Sequence, residues 1–156
     1  MADAEHWMKL ALAEAEIART LGEAPIGCLI VHDPSGVIVG RGYNRRETDR
    51  DPTAHAEIVA LRQAGQTIKH WRILECTLYV TLEPCPMCAG AIINARIPRL
   101  VYGCPDPKAG AVRTLFQICD DPRLNHRVEI HGGILAEECA EKLREFFRAQ
   151  RALGKK

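Results

Sequence analysis

Apolar and polar residues alternate along this chain with two different periods, and the changes of period mark out its elements. Trp7, Leu10, Ala11, Ile17, Ala18 and Leu21 recur at helical spacing. That pattern predicts a first helix capped by Asp3 and stopped at Gly22. Ile26 to Val31 and Val37 to Tyr43 flank Asp33-Pro34-Ser35-Gly36, whose Pro and Gly preset a reversal, so they predict a β-hairpin. A polar loop from Asn44 to Pro52 follows, then a helix over about Ala54 to Ala64 with Thr53 as its cap. Thr77 to Leu82 reads as a buried strand, ended by Glu83-Pro84. Pro86 suits the first turn of another helix running to about Ala95, and Leu100 to Cys104 resumes a strand. After a looser stretch, Arg127 to His131 predicts a last strand. Ala136 to Ala152 predicts a last helix with Cys139, Ala140, Leu143, Phe146 and Phe147 on its apolar side. This order of elements, with right-handed strand-helix-strand crossovers, implies an α/β fold. Its expected form is a three-layer αβα sandwich around a mixed central sheet of about five strands.

Length and composition narrow the class. The chain has 156 residues, 47% of them hydrophobic and 26% charged, which fits one folded domain spanning 1–156 and excludes a disordered or fibrous chain. No apolar run approaches the roughly 20 residues of a membrane helix, and the first residues (Asp3, Glu5, Lys9) do not form a secretory signal, so a cytoplasmic location is expected. Seven cysteines, an odd number of which only Cys85 and Cys88 are close in sequence, argue against a disulfide framework. Cys28, Cys76, Cys104, Cys119 and Cys139 read as buried core thiols. A net charge of +1 rules out recruitment of an acidic partner by total charge. Six basic residues against one acid over 142–156, and Arg41, Arg45, Arg46 and Arg50 around Asn44, are instead local patches able to track phosphates or to remain simply solvated.

The candidate chemistry lies in His55-Ala56-Glu57 and Pro84-Cys85-Pro86-Met87-Cys88. Cysteines three apart put both sulfurs on one side of a first helical turn, and His55 supplies a third donor from the preceding helix. Two thiolates and an imidazole suit zinc, and helix amino termini favour the thiolate form. Three protein donors leave a coordination place for water, which points to catalysis over a structural site. Residues two apart on a regular helix diverge by about 200°. His55 is therefore expected at the helix boundary, with Glu57 reaching back. A C-x-x-C pair alone is equally a redox pair, a structural half-site or chance; the upstream H-x-E and the Pro before the first Cys favour a zinc deaminase.

These motifs resemble the cytidine deaminase superfamily. More closely they resemble the bacterial tRNA-specific adenosine deaminases of the TadA type, through Glu23 to Gly27, Asp51 to Ile58, Leu78 to Ala91, Asp106 to Ala111 and Asn125 to Glu129. The resemblance implies a cytidine deaminase-like fold with one zinc per subunit held by His55, Cys85 and Cys88. It implies Glu57 as proton shuttle in the hydrolytic deamination of adenosine to inosine at the wobble position of a tRNA anticodon arm. It further implies Asn44 at the base edge, Asp106 and Lys108 by the flipped nucleotide and its backbone, Asn125 as an RNA contact, Phe147 near the flanking nucleotides, and a homodimer that builds the RNA surface. From the residues alone, Asn44 equally caps a turn, Asp106 orders its own loop and Phe147 is core. Cys104, Pro105 and Pro107 differ from the commonest family residues, which bears on loop shape and sequence preference. The rivals are a free nucleobase or nucleoside deaminase of the guanine or cytosine type, and a non-catalytic RNA-binding module with structural zinc.

Overall fold

A computed structural model describes residues 3–155. The chain runs α1 (Ala4–Thr20), β1 (Gly27–His32), β2 (Val37–Tyr43), α2 (Ala56–Ile68), β3 (Cys76–Leu82), α3 (Pro86–Asn94), β4 (Arg99–Cys104), a 3₁₀ turn (Ile118–Asp120), β5 (Glu129–His131) and α4 (Ala136–Ala152). The strands form one five-stranded sheet in the order β2-β1-β3-β4-β5. β1 is antiparallel to both β2 and β3, whereas β3, β4 and β5 run parallel.

Alternation along the strands builds two cores. Cys28 and Ile30 of β1, Leu78 and Val80 of β3, and Leu100 and Tyr102 of β4 point to one face. There they meet Ala56, Ala60 and Ala64 of α2 and Ala89, Ile92 and Ile93 of α3. Their neighbours Leu29, Val31, Tyr79 and Val101 point to the other face, against Ala4, Met8 and Ala11 of α1 and Cys139 of α4. Opposite side-chain directions of successive residues thus produce the three layers. The five cysteines outside the C-x-x-C pair are all buried free thiols, as expected. α1 stops as predicted: Gly22 adopts φ 78°, and the amides of Gly22 and Glu23 bond the carbonyls of Arg19 and Ala18.

Three boundaries differ from the sequence expectation by more than one residue. α2 starts at Ala56 because Thr53 is engaged elsewhere: its amide and hydroxyl both donate to Asp51 Oδ1, at 2.8 and 2.7 Å. The helix then continues to Ile68, and Lys69 ends it in a left-handed conformation at φ 64°. β5 is only three residues long, since the amide of Val128 is drawn to the carbonyl of Cys119 and Arg127 pairs with Asp120. Leu82 and Cys104 pair at the carboxyl ends of the parallel strands β3 and β4. That is the edge where α/β sheets usually bind ligands.

Candidate active site

His55 and Cys85 occupy the same structural position on successive helices. Each is the extended residue immediately before a helix, with φ −75°, ψ 156° at His55 and φ −75°, ψ 174° at Cys85. Pro86, the first residue of α3, fixes φ and gives up an amide that would otherwise lack a partner. Cys88 lies three residues after Cys85, one turn further along. Because His55 precedes the helix, its ring and the Glu57 carboxyl reach the same place. The geometric condition set by the two-residue spacing is met.

His55 Nδ1 is 3.6 Å from Cys85 Sγ and 3.5 Å from Cys88 Sγ. Donors held at about 2.0–2.1 Å (nitrogen) and about 2.3 Å (sulfur) from one tetrahedral centre stand about 3.6 Å apart. The three side chains are therefore spaced to hold one zinc-sized ion. They form the one group of three metal-capable side chains among the described residues.

Electrostatics at this point are strongly perturbed. The Cys88 thiol and then the His55 ring, both hydrogen-bonded to Cys85, lower its pKa to about 4. Cys88, which donates to Cys85 and is buried beside Glu57, is pushed up. Burial raises the Glu57 carboxyl to about 7, and negative charge on Cys85 adds to the rise. An acid that is buried, in contact with Cys88 and poised near neutrality is equipped both to take and to return a proton.

These groups open into a cavity of about 920 Å³. His55, Glu57 and Cys85 line it together with Asn44, Asp106, Lys108 and Phe147. Asn44 is buried and its Oδ1 accepts the amide of Arg46 at 3.2 Å, so it shapes a turn and also faces the cavity. Asp106 does likewise, its Oδ1 accepting the amides of Lys108 and Ala109 at 3.0 and 3.2 Å. Phe147 is 44% exposed on the cavity wall and does not belong to either core. Asn125 is not brought to the cavity: it is exposed in the 121–128 segment, where the neighbouring His126 ring bonds the carbonyl of Ile97.

The basic residues sort in the same way. Arg46, Arg144, Arg148 and Arg151 line the cavity, whereas Arg41 pairs with Glu14, Arg45 with Asp49 and Lys142 with Glu16. Arg144 and Arg148 are themselves bridged to Glu141. Lys156 lies outside the described residues. Two residues were not singled out in the sequence, Glu23 and Glu83, both almost fully buried. Their signal was an acidic residue at a turn whose chain neighbours are small or apolar, and such residues usually cap or simply face solvent.

Comparison with known proteins adds to this geometry. The profile of the MafB19-like deaminase family matches residues 2–151. A tRNA-specific adenosine deaminase from Haemophilus influenzae is 50% identical over 147 residues, covering 94% of this chain and 84% of the relative. A solved structure from a study of A-to-I editing by tRNA:A34 deaminases at the wobble position of transfer RNA superposes with a TM-score of 0.84. It is 44% identical and covers 88% of this chain and 99% of the other. A guanine deaminase from Nitrosomonas europaea superposes with a TM-score of 0.76 at 24% identity, covering 91% and 83%. That similarity establishes the shared architecture and leaves the base undecided.

Proposed function

This chain belongs to the MafB19-like deaminase family, as one of its tRNA-specific adenosine deaminases, and from that premise we propose that His55, Cys85, Cys88 and Glu57 carry out its deamination of adenosine to inosine in tRNA. The observation that carries this reading is the convergence of two helix starts, which sets two thiol sulfurs 3.5 and 3.6 Å from one imidazole nitrogen beside a buried carboxyl, on the wall of a cavity wide enough for a nucleotide.

His55, Cys85 and Cys88 hold one zinc ion per subunit, their nitrogen and sulfur donors matching that metal's preference. When bound, zinc supplies the Lewis acidity that brings the pKa of a water molecule toward neutrality. Glu57 takes a proton from the attacking water and delivers it to N1 of adenine as the new bond forms at C6. Glu57 then carries the proton of the new C6 hydroxyl to the amino group; the C6–N bond breaks, the C6 carbonyl forms, and ammonia leaves to give inosine. Asn44 orients the base edge, while Asp106 and Lys108 border the flipped nucleotide and its backbone. Phe147 offers a ring on which a flanking base stacks, and Arg46, Arg148 and Arg151 approach phosphates. An unpaired anticodon-loop nucleotide enters such a cavity without the cost of opening a duplex.

Asn125 belongs to a more distant RNA contact. The enzyme acts as a homodimer in the cytoplasm, where its tRNA substrate is found. The exposed Leu115, Phe116 and Leu124 of the β4–β5 connection support a subunit interface. No helix among the described residues is long and apolar enough to cross a membrane. The test is incubation of the purified protein with tRNA, anticodon stem-loops and free nucleosides, followed by mass spectrometry. Inosine at the first anticodon position is expected. Deamination of free guanine or cytosine instead, or stoichiometric zinc with no turnover of any substrate, would overturn the assignment.

A further inference from the structure

The two loops that bring Asn44, Arg46, Asp106 and Lys108 to the cavity contain no helix or strand of their own. They are residues 44–53, with Asn44 and Arg46, and residues 105–115, with Asp106 and Lys108. Each is fastened to one buried carboxylate from elsewhere in the chain. Glu83 Oε1 accepts the amide of Asp106 at 3.1 Å and the hydroxyl of Thr114 at 2.5 Å. Its Oε2 accepts the amides of Val112, Arg113 and Thr114 at 3.1, 2.8 and 3.0 Å. Glu23 Oε1 accepts the amide of Glu47 at 3.2 Å, and its Oε2 accepts both the amide and the hydroxyl of Thr48 at 2.6 Å. Every partner is a donor, so an acceptor-only side chain is required at both positions.

Packing around Glu83 leaves no slack. A Cβ on Gly110 would lie 2.5 Å from its carboxylate, and the amide of Ala111 bonds the carbonyl of Pro84 at 2.9 Å. The 105–115 loop is thus hung from the two residues that immediately precede Cys85. Its position is referred to the segment that carries two of the metal donors. The helices bearing His55, Glu57, Cys85 and Cys88 are closed by their own bonds, Val59 amide to His55 carbonyl and Ala89 amide to Cys85 carbonyl, which do not involve either glutamate.

We infer that Glu83 and Glu23 are positioning residues that hold the two RNA-binding loops in a preformed shape, so that they govern the KM for RNA and leave the chemical step alone. A loop already ordered before the substrate arrives loses no conformational entropy on binding; a loop released from its carboxylate must be ordered by the substrate, and affinity falls accordingly. This inference rests on the reading of the cavity as an RNA site.

The experiment compares wild type with Glu83→Gln and Glu23→Gln, whose amide group would meet donors, in steady-state deamination of a tRNA anticodon stem-loop. Zinc content and amide hydrogen exchange are followed in parallel. A rise in KM of tenfold or more, kcat within threefold and undiminished zinc are expected. Faster exchange is expected at Val112 to Thr114 in the first variant and at Glu47 and Thr48 in the second. Thr114→Val and Thr48→Val, which remove only a hydroxyl donor, keep the test open if a glutamine variant fails to fold. They should raise KM less, and Thr114→Val should add little to Glu83→Gln. Unchanged KM in the variants, unchanged exchange in the loops, or kcat lost together with zinc would each overturn the inference. A wild-type protein that makes no inosine would overturn the functional reading instead, and the exchange measurement would still decide whether the carboxylates hold the loops.

Discussion

Adding a single methyl group at Gly42 is expected to displace the helix that carries His55 and Glu57. A Cβ at that position on β2 would lie 2.2 Å from the carbonyl oxygen of Ala56, 2.8 Å from the amide nitrogen of Ala60 and 3.1 Å from Val59 Cβ. The first two are backbone atoms inside a hydrogen-bonded helix and cannot rotate away. Relief requires α2 to move off the sheet by about 1 Å, the difference between that contact and a tolerable one. Overpacking of this kind costs about 1–3 kcal/mol of stability. The moving turn also holds His55 and Glu57, and a misplacement of about 1 Å at reacting groups costs on the order of 10²-fold in rate. Gly90→Ala is the matched control: it lies inside α3 with no atom within 4 Å of a new Cβ. There the change is expected to stabilise by about 0.5–1 kcal/mol, because glycine loses more backbone freedom on folding. Urea unfolding midpoints, zinc content and kcat on an anticodon stem-loop measure all three effects. A Gly42→Ala protein with wild-type midpoint and wild-type turnover would refute the close-packing argument and the dependence of the site on the placement of α2.

Three further outcomes follow from named contacts. Glu57→Gln should retain zinc and lower kcat by about 10²- to 10⁴-fold, the usual worth of a general acid–base group; turnover within tenfold of wild type would remove Glu57 from the reaction. Phe147→Ala should change stability by less than about 1 kcal/mol, because the ring is outside both cores, yet raise KM for RNA at least about fivefold through lost base stacking. A large stability loss with unchanged KM would make Phe147 a core residue after all. Glu16 bridges α1 to α4: Arg19 and then Lys142 lower its carboxyl to about 2 from 4.5. A depressed folded-state pKa adds stability above pH 4.5 that is lost as pH falls toward 2. The pair is partly exposed, so Glu16→Gln should cost only about 0.5 kcal/mol at pH 7, with the gap to wild type closing in acid; a gap that widened there would reverse the sign.

Much of the molecule was written in local pattern. Continuous apolar runs such as Cys28 to Val31 and Leu78 to Val80 announce strands buried on both sides, because successive side chains on a strand must point in opposite directions. The amino-terminal placement of His55 was legible from the need for His55 and Glu57 to share a site, and the C-x-x-C spacing specifies one turn by itself. Competition among neighbours was less visible. Thr53 looked like a cap, but Asp51, two residues away, offers a better acceptor and turns it into part of a loop. Phe147 fell on the apolar side by periodicity, although α4 buries only Cys139 fully and its later residues line the cavity.

Sequence alone determined the order of elements and which three donors and one acid stand at helix starts. Each of those depends on residues within a turn or a strand's length. Only the tertiary structure decided that β1 enters between β2 and β3, and that the side chains of His55 and Cys85, thirty residues apart at the starts of α2 and α3, converge to 3.6 Å. It alone decided that Glu23 and Glu83 end buried under loops 25 and 31 residues further on. Such pairings are selected by the burial of whole faces and by donors seeking acceptors across the chain, and no short window of sequence contains both partners.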